Sequence, residues 1–342
     1  MIKTLCVEIE LRKDLLKNEV IQSLYFGGGT PSILDPSELS SLVEKVHSHF
    51  TISNNAEVTI EANPDDINVA SLKVWREMGI NRLSIGVQSF NAEELKWMNR
   101  AHTSEQSVRS VLLAQDLGFE NITIDLIYGS KFQNEKSWKE TLQKAIDLNT
   151  PHISSYNLTI EERTVLGTKR KKKEEPPVSD ELSSAQFNFM SEFLSQNGFL
   201  HYEISNFAKE GSMAVHNSNY WKRKKYLGIG PSAHSYDGTQ RQWNVSNNES
   251  YIRSINSGEK FYETEILSTE NKFNEYIMTG LRTIFGCDRK EMEELFGKER
   301  TEQFIKEISM KKEFVSEDKG IYRLNAKGKL YADKIASDLF NA

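Results

Sequence analysis

Three glycines, Gly27-Gly28-Gly29, followed by Thr30-Pro31, come directly after the short apolar stretch Ser23 to Phe26. A turn without side chains lets backbone N–H and C=O groups approach a ligand closely. The same chemistry serves a plain tight turn or a phosphate cradle, and the glycines alone do not choose between them. Polar residues in similar positions recur downstream: Glu61 with Asn63, Gln88 with Ser89, Asp125, and Asn157. Singly, each could cap a loop. Together with the glycines they fall at the ends of successive predicted strands, where an α/β barrel gathers its functional groups, so they are expected to converge on one pocket.

The elements that must position them alternate in type. Strands are predicted at Ser23 to Phe26, Glu57 to Ile60, Arg82 to Val87, Asn121 to Ile127, His152 to Ile160 and His201 to Ser205. Helices are predicted between them, over Ser37 to His49, Asp66 to Met78, Glu93 to Met98, Ser104 to Leu117, Glu135 to Leu148 and Asp180 to Gln196. This alternation predicts a parallel sheet with helices outside it. Residues 3 to 17 read as an amphipathic helix, with Ile2, Leu5, Cys6 and Ile9 on one face and Lys3, Glu8, Glu10, Arg12 and Lys13 elsewhere. A barrel of this kind starts with a strand, so one strand and its loop are missing from the pattern.

The expected organisation is a barrel over 1–210, an extension rich in Asn, Ser, Tyr and Trp over 211–265, and a module over 266–342. In the last, helices followed by a hairpin from Phe314 to Leu324 suggest a winged-helix-like fold. The run Lys169-Arg170-Lys171-Lys172-Lys173-Glu174-Glu175 lies in a long loop, is charge-balanced at once and lacks interleaved aromatics, so it reads as solvated.

At 342 residues the chain suits a large barrel or two modules, at ~100 to 200 residues per domain. A net charge of -6 disfavours duplex nucleic acid as a partner. No run approaches the ~18 apolar residues that would span a bilayer, and Met1-Ile2-Lys3 leads into charged sequence without a signal-peptide core, so a cytoplasmic location is expected. Cys6 and Cys287 are the only cysteines and lie far apart, which excludes a disulfide framework or a multi-cysteine metal site built from this chain alone.

Several stretches carry a family likeness: Tyr25-Phe26-Gly27-Gly28-Gly29-Thr30-Pro31, Glu61-Ala62-Asn63-Pro64, Arg82 through Phe90, Arg100 with His102, and Asp125-Leu126-Ile127-Tyr128-Gly129. With these, nearly the whole chain resembles the oxygen-independent coproporphyrinogen III oxidase family of radical SAM proteins, and within it the heme chaperone branch called HemW. The resemblance implies S-adenosylmethionine in the barrel mouth, with Gly28, Gly29 and Thr30 at its methionyl end and Glu61, Gln88, Arg100 and Asp125 as further polar contacts. An aminoacyl zwitterion suits close backbone groups and a counter-charge, which the glycines and Arg100 can provide. A ribose diol is commonly held by a carboxylate such as Glu61 or Asp125. Apart from the resemblance, Arg100 and His102 read as a surface helix–loop pair.

His216-Asn217-x-x-Tyr220-Trp221, with Gly228-x-Gly230 and His234 nearby, resembles the pattern of the heme-handling branch. A histidine beside two aromatics suits an axial imidazole and flat rings stacked on a porphyrin. A loop histidine packed on a tryptophan is the plain alternative. The family also carries a CxxxCxxC loop whose thiolates hold a [4Fe-4S] cluster and leave one iron for S-adenosylmethionine. This chain has no such motif, and the resemblance places those cysteines ahead of Met1. The expected fold is therefore a partial (β/α) radical SAM barrel, first strand missing, with the C-terminal winged-helix-like module. The expected function is a HemW-like chaperone that binds heme and S-adenosylmethionine and passes heme to an acceptor, for instance a respiratory hemoprotein, with a homodimer among the assembly states open to it. The rivals are the oxidase itself, which decarboxylates coproporphyrinogen III by radical chemistry, and an unrelated barrel whose glycine loop binds phosphate.

Overall fold

Seven strands form one sheet in the order β1-β2-β3-β4-β5-β7-β6, in a computed structural model that describes residues 1–162, 164–174 and 176–340. They are β1 (Val20–Phe26), β2 (Thr51–Ala62), β3 (Arg82–Gln88), β4 (Asn121–Tyr128), β5 (His152–Asn157), β6 (Leu200–Glu203) and β7 (Asn206–Ala208). From β2 to β5 each neighbouring pair is parallel, and the β6–β7 hairpin closes antiparallel on β5. Parallel neighbours need long crossovers. Helices Val69–Glu77, Ser104–Asp116 and Glu135–Asp147 provide them, each started by a capping box, at Asn68, Thr103 and Asn134. Side chains alternate along the strands: Leu83, Ile85 and Val87 of β3 are fully buried, and the intervening Ser84, Gly86 and Gln88 share the opposite face. The result is a partial (β/α) barrel.

Two compact units emerge from the contacts. One comprises Tyr25–Ile33 with Val58–Ala214, and the other Met1–Leu24, Leu34–Glu57 and Val215–Ala342. These units cut the chain differently from the ranges 1–210, 211–265 and 266–342.

The second unit contains helix Ile2–Leu11, the antiparallel sheet of β8 (His234–Tyr236), β9 (Gln240–Asn244) and β10 (Tyr262–Ile266), and the C-terminal helices. Those helices pack with a small sheet of β11 (Cys287–Asp288), β12 (Val315–Asp318) and β13 (Ile321–Leu324), which includes the expected hairpin. Phe273, Tyr276, Ile277, Phe304 and Ile308 are buried there.

Three local expectations are corrected. The first helix ends at Leu11 and a 3-10 turn covers Lys13–Leu16, because Arg12 turns inward to hydrogen-bond Asn244 and Gln242. The loop after β5 contains helix Val165–Lys171, started by Thr164, whose hydroxyl accepts from the Gly167 N–H at 3.0 Å. Lys169 to Glu174 are all exposed, and Glu175 lies outside the described residues, as do Asn341 and Ala342 of the C-terminal module. The single strand expected at His201 to Ser205 is the β6–β7 hairpin. Among the described residues no helix is long and apolar enough to cross a membrane.

Candidate functional site

Within the unit of Tyr25–Ile33 and Val58–Ala214, the glycine turn closes on a carboxylate. Glu61, at the end of β2, accepts from the Tyr25 hydroxyl at 2.8 Å and from the Gly28 N–H at 3.3 Å. Gly28 has φ of 78°, which favours glycine. Gly27 is required by proximity: a Cβ there would stand 2.6 Å from the Tyr25 ring and 2.7 Å from Glu61 Oε1. Burial and then the neighbouring Glu61 charge hold the Tyr25 hydroxyl well above its usual pKa.

The end of β3 is irregular, and the irregularity aims a side chain. Its pairing with β4 shifts between Ile85 and Gln88, and Gln88 takes the left-handed conformation at φ 65°. A Cβ on Gly86 would lie 2.9 Å from Gln88 Nε2 and 3.4 Å from Arg100 Nη2, so both polar groups cross over that glycine. Arg100 follows helix Ala92–Trp97 and donates through Nη2 to Asn63 Oδ1 at 2.6 Å. Its Nε is buried and has no hydrogen-bond partner among the described residues. Burial lowers the Arg100 pKa, while Asp65 and Asp125 act against that shift.

Asp125 of β4 sits deep in the unit but faces the cavity. Ser84 Oγ donates to its Oδ2 at 3.2 Å. Burial pushes its carboxyl up to about 7 against hydrogen bonds with Ser154 and Ser84, and Glu61 adds to the rise.

These groups surround a cavity of about 170 Å³ lined by Gly29, Thr30, Glu61, Gln88, Arg100 and Asp125, with Asn63 and Ser84 between them. Gly28 contacts it through Glu61. Other strand-end residues do not reach it. Ser89 is fully buried and donates to Glu94 at 2.5 Å. Asn157 lies against Gly129, where a Cβ would meet its Oδ1 at 2.6 Å. His102 is buried, with Nε2 3.1 Å from the Val87 carbonyl, and supports the turn from behind. Ser84 and Gly86 were not singled out from sequence, although their two-residue spacing from Gln88 on one strand face carried the signal.

The heme-branch residues belong to the other unit. Helix Val215–Trp221 is anchored by Glu57, which accepts from the N–H groups of Val215 at 2.9 Å and His216 at 2.8 Å. His216 is half-buried, with Nδ1 2.9 Å from Ser23 Oγ and its ring edge-on to Tyr220 at 5.1 Å. Burial pushes its pKa down to about 4, so the imidazole is neutral at physiological pH. His216 and Tyr220 line a cavity of about 810 Å³ together with Ile9, Leu16, Leu24 and Ile229. Trp221 and His234 do not line it. Trp221 packs under the Arg282 guanidinium at 5.4 Å, and His234 is exposed on β8, 6.3 Å from the Trp243 ring.

The radical SAM superfamily model matches residues 7–145. Heme chaperone HemW of Bacillus subtilis (strain 168) is 32% identical over 320 residues, covering 92% of this chain and 84% of that protein. This chain belongs to the HemW-like radical SAM family. Heme chaperone HemW of Lactococcus lactis is 34% identical over 278 residues, covering 81% of this chain and 73% of the relative. Among solved structures, coproporphyrinogen III oxidase (HemN) from Escherichia coli, a radical SAM enzyme, superposes with a TM-score of 0.86 at 25% identity, covering 99% of this chain and 82% of that one. The partial barrel is thus a radical SAM barrel.

The family's cofactors fit this HemW-like chain unequally. The cavity at the glycine turn, with a buried Arg100 nitrogen unsatisfied beside two carboxylates, suits a ligand carrying both a carboxylate and hydroxyl donors. An iron–sulfur cluster finds no such set. Cys6 is half-buried with its thiol 3.9 Å from the Ser41 carbonyl, and Cys287 is fully buried with its thiol pKa pushed up by burial. Among the described residues no three His, Cys, Asp or Glu side chains are grouped to hold a metal ion.

Proposed function

We propose that this HemW-like protein binds S-adenosylmethionine at the glycine-turn cavity, holds heme at His216, and passes the heme to an acceptor hemoprotein in the cytoplasm. At the first site Gly28, Gly29 and Thr30 meet the methionyl end of the ligand. The Arg100 guanidinium pairs with its carboxylate, and Glu61, Gln88 and Asp125 receive the remaining amino and hydroxyl donors. When bound with its cluster in a complete family site, S-adenosylmethionine supplies radical chemistry; the residues of this chain bind and orient it.

The observation that carries the chaperone reading is the environment of His216. A neutral imidazole needs no deprotonation before it binds iron, and the Ser23 hydroxyl at Nδ1 fixes the ring orientation, as partners of metal-binding histidines commonly do. Tyr220 stands edge-on beside it. The cavity of about 810 Å³ falls within the ~300 to 1,000 Å³ usual for cofactor pockets. Trp221 and His234 are turned elsewhere, so the proposal rests on His216 and Tyr220. The HemN-like oxidase reading draws on the likeness of fold, but the two distant cysteines of this chain cannot ligate its cluster.

A heme titration followed by absorbance tests the assignment. His216→Ala should abolish or shift the Soret band, and Tyr220→Ala should weaken binding by roughly 0.5 to 1.5 kcal/mol while leaving the band position unchanged. His47→Ala serves as a surface control. A Soret band unaltered by His216→Ala would remove His216 as the ligand.

A further inference from the structure

The cavity beside His216 has an aromatic wall and an unmatched charge, both inside the unit that unites Met1–Leu24 with Val215–Ala342. The rings of His216, Tyr220 and Tyr226 follow one another along it, with successive centroids 5.1 and 4.5 Å apart. Its acidic and basic lining residues are Glu19, Arg223, Lys224 and Lys225. Lys225 pairs with Glu19 at 2.6 Å. Arg223 pairs with Glu291 at 3.0 Å and lies over the Tyr276 ring at 4.2 Å. Lys224 is exposed, and among the described residues its ammonium has no hydrogen-bond or ion-pair partner. The surplus on this cavity is therefore one positive charge, carried by Lys224.

The backbone holds that lysine in place. Helix Val215–Trp221 ends in a Schellman turn, in which the Lys224 N–H donates to the Asn219 carbonyl and the Arg223 N–H to the Tyr220 carbonyl, both at 3.0 Å. Arg223 takes the left-handed conformation at φ 53°, a position that glycine or asparagine usually fills. Contacts of its side chain with Glu291, Tyr276 and the Thr279 hydroxyl oppose that strain. The first and last residues of such a turn commonly pack against each other through apolar side chains. Here they are Asn219 and Lys224, and both line the cavity. A residue other than glycine, held left-handed by its surroundings, is a feature that clusters at ligand clamps.

We propose that Lys224 binds a propionate carboxylate of the porphyrin, so that the cavity selects porphyrins whose propionate groups are free acids. The assignment rests on the heme reading of this cavity. An apolar ring with an anionic edge matches an aromatic wall with one unmatched ammonium. A single iron ligand leaves the ring able to rotate about the iron–nitrogen axis, and a contact at its edge stops that rotation. The plain alternative is a lysine that only complements the carbonyl end of the helix.

Absorbance titrations of the full chain with iron protoporphyrin and with its dimethyl ester, in the same dilute detergent, separate the two. The parent chain should bind the free acid more tightly than the ester. Lys224→Ala should weaken free-acid binding roughly three- to fivefold, leave ester binding unchanged and keep the Soret maximum where it is. Lys224→Arg should restore the preference for the free acid, and added salt should reduce it. Lys222→Ala removes the same charge from a neighbour that does not line the cavity, and should change neither affinity. Equal free-acid affinity in the parent and Lys224→Ala overturns the assignment. Equal losses for acid and ester, with a lowered melting temperature, overturn it in favour of the helix-end role. In both cases the heme reading stands if His216→Ala still alters the Soret band. A parent chain that gives no saturable Soret change with either porphyrin overturns the heme reading, and Lys224 as a propionate contact with it.

Discussion

Asp125 couples the chemistry of the candidate site to the stability of the chain. Its carboxyl is displaced from the ordinary 3.8 to about 7, chiefly by burial. The folded chain therefore binds this proton more tightly than the unfolded chain between those values. The stabilising contribution is complete below roughly pH 4 and is lost as pH rises through the folded value. Each unit of displacement corresponds to at most ~1.4 kcal/mol, less where the cavity admits water. Asp125→Asn removes the titration, so its denaturant midpoint should fall less between about pH 5 and about pH 8 than that of the parent chain. Parallel declines in the two proteins would show that Asp125 is ionised throughout the range.

At the scale of elements, the turn after β1 has the least tolerance for added atoms. A methyl group at Gly27 must displace the Tyr25 ring or Glu61, which are within 2.6 and 2.7 Å of its Cβ position. Either movement breaks the hydrogen bond between those two side chains. Gly27→Ala should therefore weaken S-adenosylmethionine binding by about tenfold or more, ~1.4 kcal/mol, in calorimetry. Unchanged affinity would place the ligand away from this turn. The turn was legible in sequence because glycine types and strand ends are local signals, and helix Asp180–Gln196 was legible to the residue for the same reason. The bulge at Gln88 was not. Its cause is the crossing of Gln88 and Arg100 over Gly86, a contact that no local pattern encodes. Helix Val165–Lys171 was likewise hidden, since its basic, mostly exposed residues carry little apolar period.

At the scale of the molecule, Glu8 shows what a linear reading misses. On a helical wheel it belongs to the polar face of the first helix, yet it is fully buried. It accepts from the Gly230 N–H at 2.7 Å, from Asn244 Nδ2 at 2.7 Å and from the Tyr251 hydroxyl, all more than 200 residues downstream. Arg12, one turn further along, bonds Asn244 and Gln242. One carboxylate thus joins the first helix to the loop before β8, to β9 and to helix Asn248–Ser257, all in the unit that unites Met1–Leu24 with Val215–Ala342. Burial raises its pKa against the hydrogen bonds from Tyr251, Gly230 and Asn244. Removing the acceptor strands the Gly230 N–H and the Tyr251 hydroxyl, and takes the counter-charge from the buried Arg12 cation, which keeps Asn244 and Gln242. Glu8→Ala should cost roughly 3 to 5 kcal/mol, the range for breaking a buried charged network. Tyr251→Phe removes one donor and leaves the carboxylate its others, so it should cost only ~1 to 3 kcal/mol. Urea unfolding of the two variants measures both. If Glu8→Ala costs no more than Tyr251→Phe, the network is not what holds the first helix to the C-terminal half of the chain, and the apolar contacts of Leu5 and Ile9 must do so instead.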